Sequence, residues 1–293
     1  MKPSKFEFHA ARTLEEALAL LGRYGEDARV LAGGQSLVPL MNFRVLQPRA
    51  LVSINHCPEL AYIRREGDFL ACGAATRQIE AERSSLVQEH CPLLAAALPW
   101  VGGIANRNRG TVCGSLAHAD PLAELPAVAV ALGAQFQIKG MRGSRTVTAE
   151  EFFVADMTTS IEPGEMIESV KFPTSGKRAG SAFVEVGNRA HGFAVVGVAA
   201  HLEFEDSGRC KSARLAAIGV GSTPVRLLAS EAAVKGTDRM EQALNDAASV
   251  AASQLDPSGG FHADAAYKKE VIGTLVARAL NQAHASYTMR SGH

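Results

Sequence analysis

Residues 30–41 read VLAGGQSLVPLM, and the fold turns on how this stretch is understood. An apolar run of Val30, Leu31 and Ala32 enters the glycine pair Gly33-Gly34, then Gln35 and Ser36, before apolar residues resume with Pro39 close behind. This is the order of a strand, a tight loop and a helix start. Two adjacent glycines admit positive φ and carry no Cβ, so a ligand could come close to the main chain. Ser36 is placed to cap the next turn. Pro39 is tolerated there, because first-turn N–H groups have no helical acceptor. Unpaired N–H groups at the positive end of a helix dipole suit a phosphate. An ordinary strand-to-helix turn would have the same letters, since short glycine motifs recur without ligands.

Upstream, residues 6–9 are expected as a short strand. Thr13 is expected to cap a helix over 14–23, with Glu15 and Glu16 in its first turn and Leu14, Leu18 and Leu21 on one face. Downstream, 50–54 reads as a further strand, closing a small self-contained βαββ unit with strand 29–32. The unit is not the dinucleotide fold, because the GxGxxG spacing is missing. Nor is it a P-loop, because Gly34 is followed by Gln35 and not by Lys with Ser or Thr.

Further along, 61–64 and 68–73 read as paired strands turning at Gly67, Thr76 as the cap of a helix over 78–82, and 91–100 as helical. The richest block follows, VGGIANRNRG at 101–110 leading into TVCGSLAHADPLAELPAVAVAL at 111–132. Thr111, Gly114 and Ser115 repeat the small and hydroxyl character of the first loop, which suggests a second strand-to-helix passage. Pro121 is expected to open an apolar helix through 127–132, with Glu124 in its early turns. A diphosphate held from two sides without lysine needs two loops of this type.

Residues 166–172 alternate like an edge strand of a central sheet. PTSGKRAG at 173–180 is the best linker candidate. Beyond it, 182–186, 194–204 and 211–220 read as three antiparallel strands, and 226–234, 240–254 and 265–285 as helices. The last is amphipathic over 267–283 and is expected to pack on that sheet.

Composition limits the partners. The 293 residues include 30 Lys plus Arg against 30 Asp plus Glu, so no overall field recruits nucleic acid or an acidic membrane surface. The N-terminal stretch has no apolar core of a signal peptide, and no apolar run reaches spanning length, so a cytoplasmic protein without membrane insertion is expected. Cys57, Cys72, Cys91, Cys113 and Cys210 are odd in number and scattered, which argues against a disulfide framework, a zinc site or an iron–sulfur cluster held by this chain alone.

AGGQS at 32–36 and TVCGSLAHADPLAELPA at 111–127 together resemble the paired signatures of the flavin-binding medium subunit of molybdenum hydroxylases, the xanthine dehydrogenase and carbon monoxide dehydrogenase family. The likeness continues through SAFVEVGNRAHGFAVVGVAAHLEF at 181–204, so it spans nearly the whole chain. It implies an α+β protein: a two-lobed FAD-binding region of the vanillyl-alcohol-oxidase/PCMH type, followed by a C-terminal antiparallel sheet with packed helices. The implied divisions are residues 1–57, 58–175 and 176–293.

By the same resemblance, Ala32, Gly33, Gly34, Gln35 and Ser36 wrap the FAD pyrophosphate from one side, and Thr111, Val112, Cys113, Gly114 and Ser115 close it from the other. Glu124 accepts hydrogen bonds from ribityl or ribose hydroxyls, Val101 borders the flavin, and the main chain at Ile167 meets the isoalloxazine edge. Asp120 is counted among the cofactor contacts, although before Pro121 it also reads as a helix cap. No catalytic residue and no metal ligand is expected here. A molybdopterin cofactor and two [2Fe-2S] clusters are implied for a large molybdenum subunit and a small iron–sulfur subunit, assembled as a dimer of heterotrimers. The flavin would pass electrons to NAD⁺, oxygen, a quinone or another acceptor.

Two positions depart from the family. Cys113 stands where a glycine is common, and Val184 where some relatives carry a lysine near the flavin. Several residues keep two readings. His118 is a flavin contact or a structural side chain, Arg107 and Arg109 meet phosphate, a partner or solvent, and Trp100 stacks near flavin or packs in the core. A self-sufficient flavoprotein oxidase and a nucleotide-binding scaffold without redox activity remain the competing functions.

Overall fold

A computed structural model describes residues 1–189, 192–260 and 263–291. The first part of the chain builds β1 (Glu7–Ala10), α1 (Leu14–Tyr24), β2 (Ala28–Leu31), α2 (Leu37–Asn42) and β3 (Ala50–Ser53). The strands form a parallel sheet in the order β1-β3-β2. Parallel neighbours require crossovers, and α1 and the loop with α2 supply them. Thr13 accepts from the Glu16 amide as expected, and Leu14, Leu18 and Leu21 are buried against Val52 and Ile54. The unit is less self-contained than its letters suggest. Leu60, Ala74, Ala75 and Met166, all from later in the chain, belong to the same core.

The middle of the chain contains β4 (Ile63–Glu66), β5 (Phe69–Gly73), α3 (Gln78–Arg83), α4 (Ser85–His90), α5 (Pro92–Ala97), α6 (Ile104–Arg109), α7 (Val112–His118) and α8 (Glu124–Leu132). It continues with β6 (Gln135–Gly140), β7 (Gly143–Thr148), α9 (Ala149–Phe152), β8 (Phe153–Ala155), β9 (Thr158–Thr159) and β10 (Glu165–Pro173). The main sheet is antiparallel in the order β4-β5-β10-β6-β7. The stretch read as an edge strand, 166–172, is therefore the centre of the sheet. Adjacent residues face different cores, Met166 with α1 and Ile167 with α7 and α8, and edge or centre depends on which distant strands pair with it. Phe136 stacks on Phe152 at 3.8 Å beneath this sheet. All nine residues of α8 are buried. A helix that is apolar on every side must be covered on every side, and α8 lies between the middle sheet and the last one, touching α5, β10 and strands 194–204 and 210–218.

The last part forms β11 (Ala179–Gly187), β12 (Ala194–Phe204), β13 (Cys210–Ile218) and β14 (Val225–Arg226), then α10 (Leu228–Val234), α11 (Met240–Gln254) and α12 (Ala265–Ser291). The sheet is antiparallel in sequence order. As expected, α12 packs on it, against β11 and β12, and a Cβ at Gly180 would collide with the Ala283 carbonyl. With α12 on one face and α8 on the other, β12 reads as a nearly continuous apolar run and is buried along almost its whole length. The proposed linker is only the short connection from β10 to β11. The Thr174 amide donates to the Asp68 carbonyl and the Ser175 amide to that of His90, each at 2.8 Å.

Candidate functional site

The loop after β2 keeps Gly34 at φ +75°, a conformation that favours glycine. Gly33 is required for a different reason. A Cβ there would lie 2.7 Å from the Gly110 Cα and would overlap the Arg109 carbonyl. The absent side chain makes room for the protein's own backbone, and this contact brings the loop at 33–36 against the residues that precede Thr111. Ser36 makes no side-chain cap for α2. Among the described residues, the amides of Gly33, Gly34, Gln35 and Ser36 donate to no acceptor in the chain. Ala32, Gly33, Gly34 and Ser36 are half-buried and Gln35 is exposed.

The second loop is not a strand-to-helix passage. It lies between two helices, α6 and α7, with Gly110 and Thr111 as the joint. Glycine, asparagine and arginine at 102–110 look irregular in sequence, yet the Arg107 guanidinium folds them into a turn of helix. Arg107 is only 7% exposed. It donates to Glu82 at 2.6 Å and to the Gly102 carbonyl at 2.6 Å, with longer bonds to the carbonyls of Pro99 and Val101. This settles its role as internal, and it fixes the half-buried Val101 in place.

Thr111 caps α7, its hydroxyl accepting from the Gly114 amide at 3.0 Å, while the Ser115 amide donates to the Thr111 carbonyl and the Val112 amide to that of Thr76. Thr76, expected as a cap for α3, instead donates its hydroxyl to Tyr62. The side chains of Thr111, Val112 and Cys113 are buried in the core, and only Gly114 and Ser115 are half-exposed. Any ligand contact from 111–113 must therefore come from main chain. Burial pushes the Cys113 thiol up to about 12, so it stays protonated and unreactive.

The seam between the two loops has a positive charge. Arg77 donates to the Arg109 carbonyl and, at 2.6 Å, to the Asn55 side chain. Asn55 in turn donates to the Leu31 carbonyl at 3.4 Å, and Arg77 and Thr111 form a β-bridge. Burial and the neighbouring Arg109 charge both lower the Arg77 pKa. Free amides, a small-residue loop and a half-buried guanidinium beside a second one make a setting that favours an anion. The arrangement fits a diphosphate. No signal short of tertiary contact marks Arg77 in the sequence.

The second group of predicted residues lies where α8 meets the last sheet. The Asp120 carboxylate accepts from the Leu122 amide at 2.8 Å, forming the turn that leads into α8. Pro121 belongs to that turn and not to the helix, and its carbonyl accepts from the Gly219 amide of the last sheet at 3.1 Å. His118 is half-buried. Burial lowers its pKa while Asp120 pulls the other way.

Glu124 is the first residue of α8 and 7% exposed. A helix start favours a negative charge, yet burial dominates and raises its pKa to about 7. Ile167 is buried on β10 beside a register shift, an irregularity of a kind that often re-aims main chain near sites. Trp100, the only tryptophan, is partly exposed and meets Phe183 of β11 with ring centroids 6.4 Å apart. Val184 points the other way, into the core beneath α12.

The chain was compared with known proteins. Residues 4–175 match the FAD binding domain in molybdopterin dehydrogenase, and residues 181–283 match the CO dehydrogenase flavoprotein C-terminal domain. The 6-hydroxypseudooxynicotine dehydrogenase complex subunit alpha of Paenarthrobacter nicotinovorans is 39% identical over 283 residues, 97% of this chain and 96% of that protein. The carbon monoxide dehydrogenase medium chain of Hydrogenophaga pseudoflava is 36% identical over 286 residues, 97% and 99% of the two chains. Among solved structures, carbon monoxide dehydrogenase from Hydrogenophaga pseudoflava superimposes with a TM-score of 0.93 at 37% identity, covering 98% of this chain and 99% of that one. Quinoline 2-oxidoreductase from Pseudomonas putida 86 superimposes with a TM-score of 0.92 at 31% identity, covering 98% and 99%. With both family models matched in order along nearly its whole length, the chain belongs to the FAD-binding medium subunits of the molybdenum hydroxylase family, an oxidoreductase subunit of the carbon monoxide dehydrogenase type.

Proposed function

We propose that this chain is the electron-transfer subunit of a molybdenum-containing dehydrogenase complex. Its flavin would take electrons from [2Fe-2S] clusters in a small partner subunit, and a large subunit with molybdopterin would oxidise the substrate. We place it in the cytoplasm, in a dimer of heterotrimers. The FAD would lie across residues 1–57 and 58–175, with residues 176–293 covering one side. The observation that carries this reading is the apposition of the amide-lined loop at 33–36 with the backbone at 109–110, directly before α7.

Bound FAD supplies a carrier able to accept electrons singly and release them singly or in pairs. The chain's own residues then bind and orient. The amides of Gly33, Gly34, Gln35 and Ser36 would donate to one side of the diphosphate, and Gly114 and Ser115 would approach it from the other. Arg77 and Arg109 would balance its charge. Arg107 holds the turn at Val101, and Glu124 would accept from hydroxyls of the cofactor. The division suits the groups involved: donors and cations for the charged diphosphate, a carboxylate for the neutral polyol.

The purified chain should show a flavin absorption spectrum, with FAD released on denaturation. Isolated from its native organism it should co-purify with two further polypeptides, molybdenum and iron. A colourless chain that binds only nucleotide, or a chain that oxidises an organic substrate rapidly without partners, would refute the proposal.

A further inference from the structure

Glu185 was not among the residues that the sequence marks. It lies on β11, two residues from Phe183, so by strand alternation it faces the same side, toward the middle body and Trp100. One of its oxygens, Oε2, is buried with no hydrogen-bond partner. Buried acceptors are rarely left alone, and each such case calls for a missing donor or a functional reason. The charge that acts on it is that of Glu124, at the start of α8, and the pKa of each carboxyl is raised: that of Glu185 to about 8 by burial and by Glu124, and that of Glu124 to about 7 by burial and by Asp120.

Among the described residues, the surroundings supply no counter-charge. Opposite Glu185 in the sheet lies Gly197, and opposite that Ile218. The segments packed against this side, α5 and the turn Leu98–Trp100, contain no charged residue. Among the described residues, Asp120 acts on Glu124 and in turn on His118, at the end of α7. Among the described residues, no lysine or arginine is among the charges acting on either carboxyl. The structure therefore presents two carboxyls, contributed from two separate parts of the chain, at a seam where, among the described residues, no cation acts on either.

We propose that Glu185 joins Glu124 as a second carboxyl of the cofactor site, accepting hydrogen bonds from the hydroxylated part of FAD, so that binding of the cofactor drives a proton off the pair. This rests on the reading of the chain as an FAD subunit. It adds that the last sheet completes the site and that occupancy is linked to pH. Donation by hydroxyls favours the ionised carboxylate over the acid. By reciprocity, the proton that FAD expels is the proton that opposes FAD.

The test uses the full chain stripped of flavin and titrated with FAD at several pH values. Between pH 6.5 and 8.5 the wild type should bind about tenfold more tightly at the higher pH, as linkage to a fraction of a proton per site requires. Titration in two buffers of different ionisation enthalpy should register that proton directly. Glu185→Gln, which keeps the shape, should weaken binding about tenfold at pH 8.5 and flatten the pH dependence, while its melting temperature stays at or above that of the wild type. Glu124→Gln should flatten it as well. Unaltered affinity and unaltered proton release in Glu185→Gln would overturn the proposal while leaving the FAD assignment intact. A wild-type chain that takes up no FAD at any pH would overturn both.

Discussion

The molecule has two seams, and they are built on opposite principles. Where the first sheet meets the middle body, polar contacts hold the joint: Gly33 against the 109–110 backbone, and Arg77 donating to Arg109 and Asn55. Where the middle body meets the last sheet, the apolar helix α8 fills the joint. At one part of it Arg214 donates to the Leu132 carbonyl and Arg226 pairs with Glu150, while among the described residues no cation acts on the carboxyls of Glu124 and Glu185 at another. A seam of free amides and guanidinium suits an anion, whereas a seam of buried carboxyls suits neutral hydroxyl donors. One dinucleotide cofactor has both chemistries, so a cleft with unlike walls can hold it in a single orientation.

The largest expected break in this contrast is at the first seam. Replacing Gly33 and Gly34 together by valine forces a side chain into the 109–110 backbone and strains the φ +75° position. FAD retention should disappear, read by absorbance after gel filtration, with the far-ultraviolet circular dichroism of a folded protein preserved. Undiminished FAD binding would show that the loop is not a wall of the site.

The second seam should respond in stability. Leu125 is fully buried in α8, and Leu125→Ala should cost about 2–5 kcal/mol in denaturant unfolding, the range for a cavity at a packed site. A loss below about 1 kcal/mol would mean the seam is loosely packed.

The carboxyls should make the flavin-free chain sensitive to pH. Below the ordinary carboxylate value of 4.5, folded and unfolded chains both hold the proton and stability does not change. From there to about 7 for Glu124, and about 8 for Glu185, only the folded chain keeps it. Stability contributed by these groups therefore falls as pH rises through that window and levels off above it. Glu124, being deeply buried, should account for about 3 kcal/mol of the change. Melting curves from pH 5 to 9 check this, and Glu124→Gln should remove much of the slope.

The smallest expected effect returns to the first seam. Arg77→Gln keeps a donor but removes the charge, and should weaken FAD binding about tenfold at low salt, with less difference at high salt. Equal affinities at both salt concentrations would assign Arg77 to architecture alone.

Much of the fold was legible because local periodicity and local polarity agree. Leu14, Leu18 and Leu21 recur at helical spacing with Thr13 ahead of them, and the runs at 194–204 and 240–254 carried their own length and type. The bounds of these last two agree with the structure. The helices at 85–90 and 104–109 carry no such local signal. The first is short and partly polar, and the second is folded by an ion pair with Glu82, which lies 25 residues away in the chain. The hairpin β6–β7 escaped notice because its solvent face is polar and its partner, β10, comes later. For the site, the two small-residue loops were visible as letters, whereas Arg77, Asn55 and Glu185 were not, since each has ordinary neighbours in sequence.

The sequence by itself determined most of the elements, the small-residue character of the two loops and the family, because these depend on residue type and spacing within short windows. Tertiary structure alone decided that 166–172 is a central strand, that Gly33 is small to admit its own backbone, and that Arg77, Glu124 and Glu185 have lost solvent. Strand neighbours, close approach and dielectric environment are properties of segments brought together from far apart, and no local window contains them.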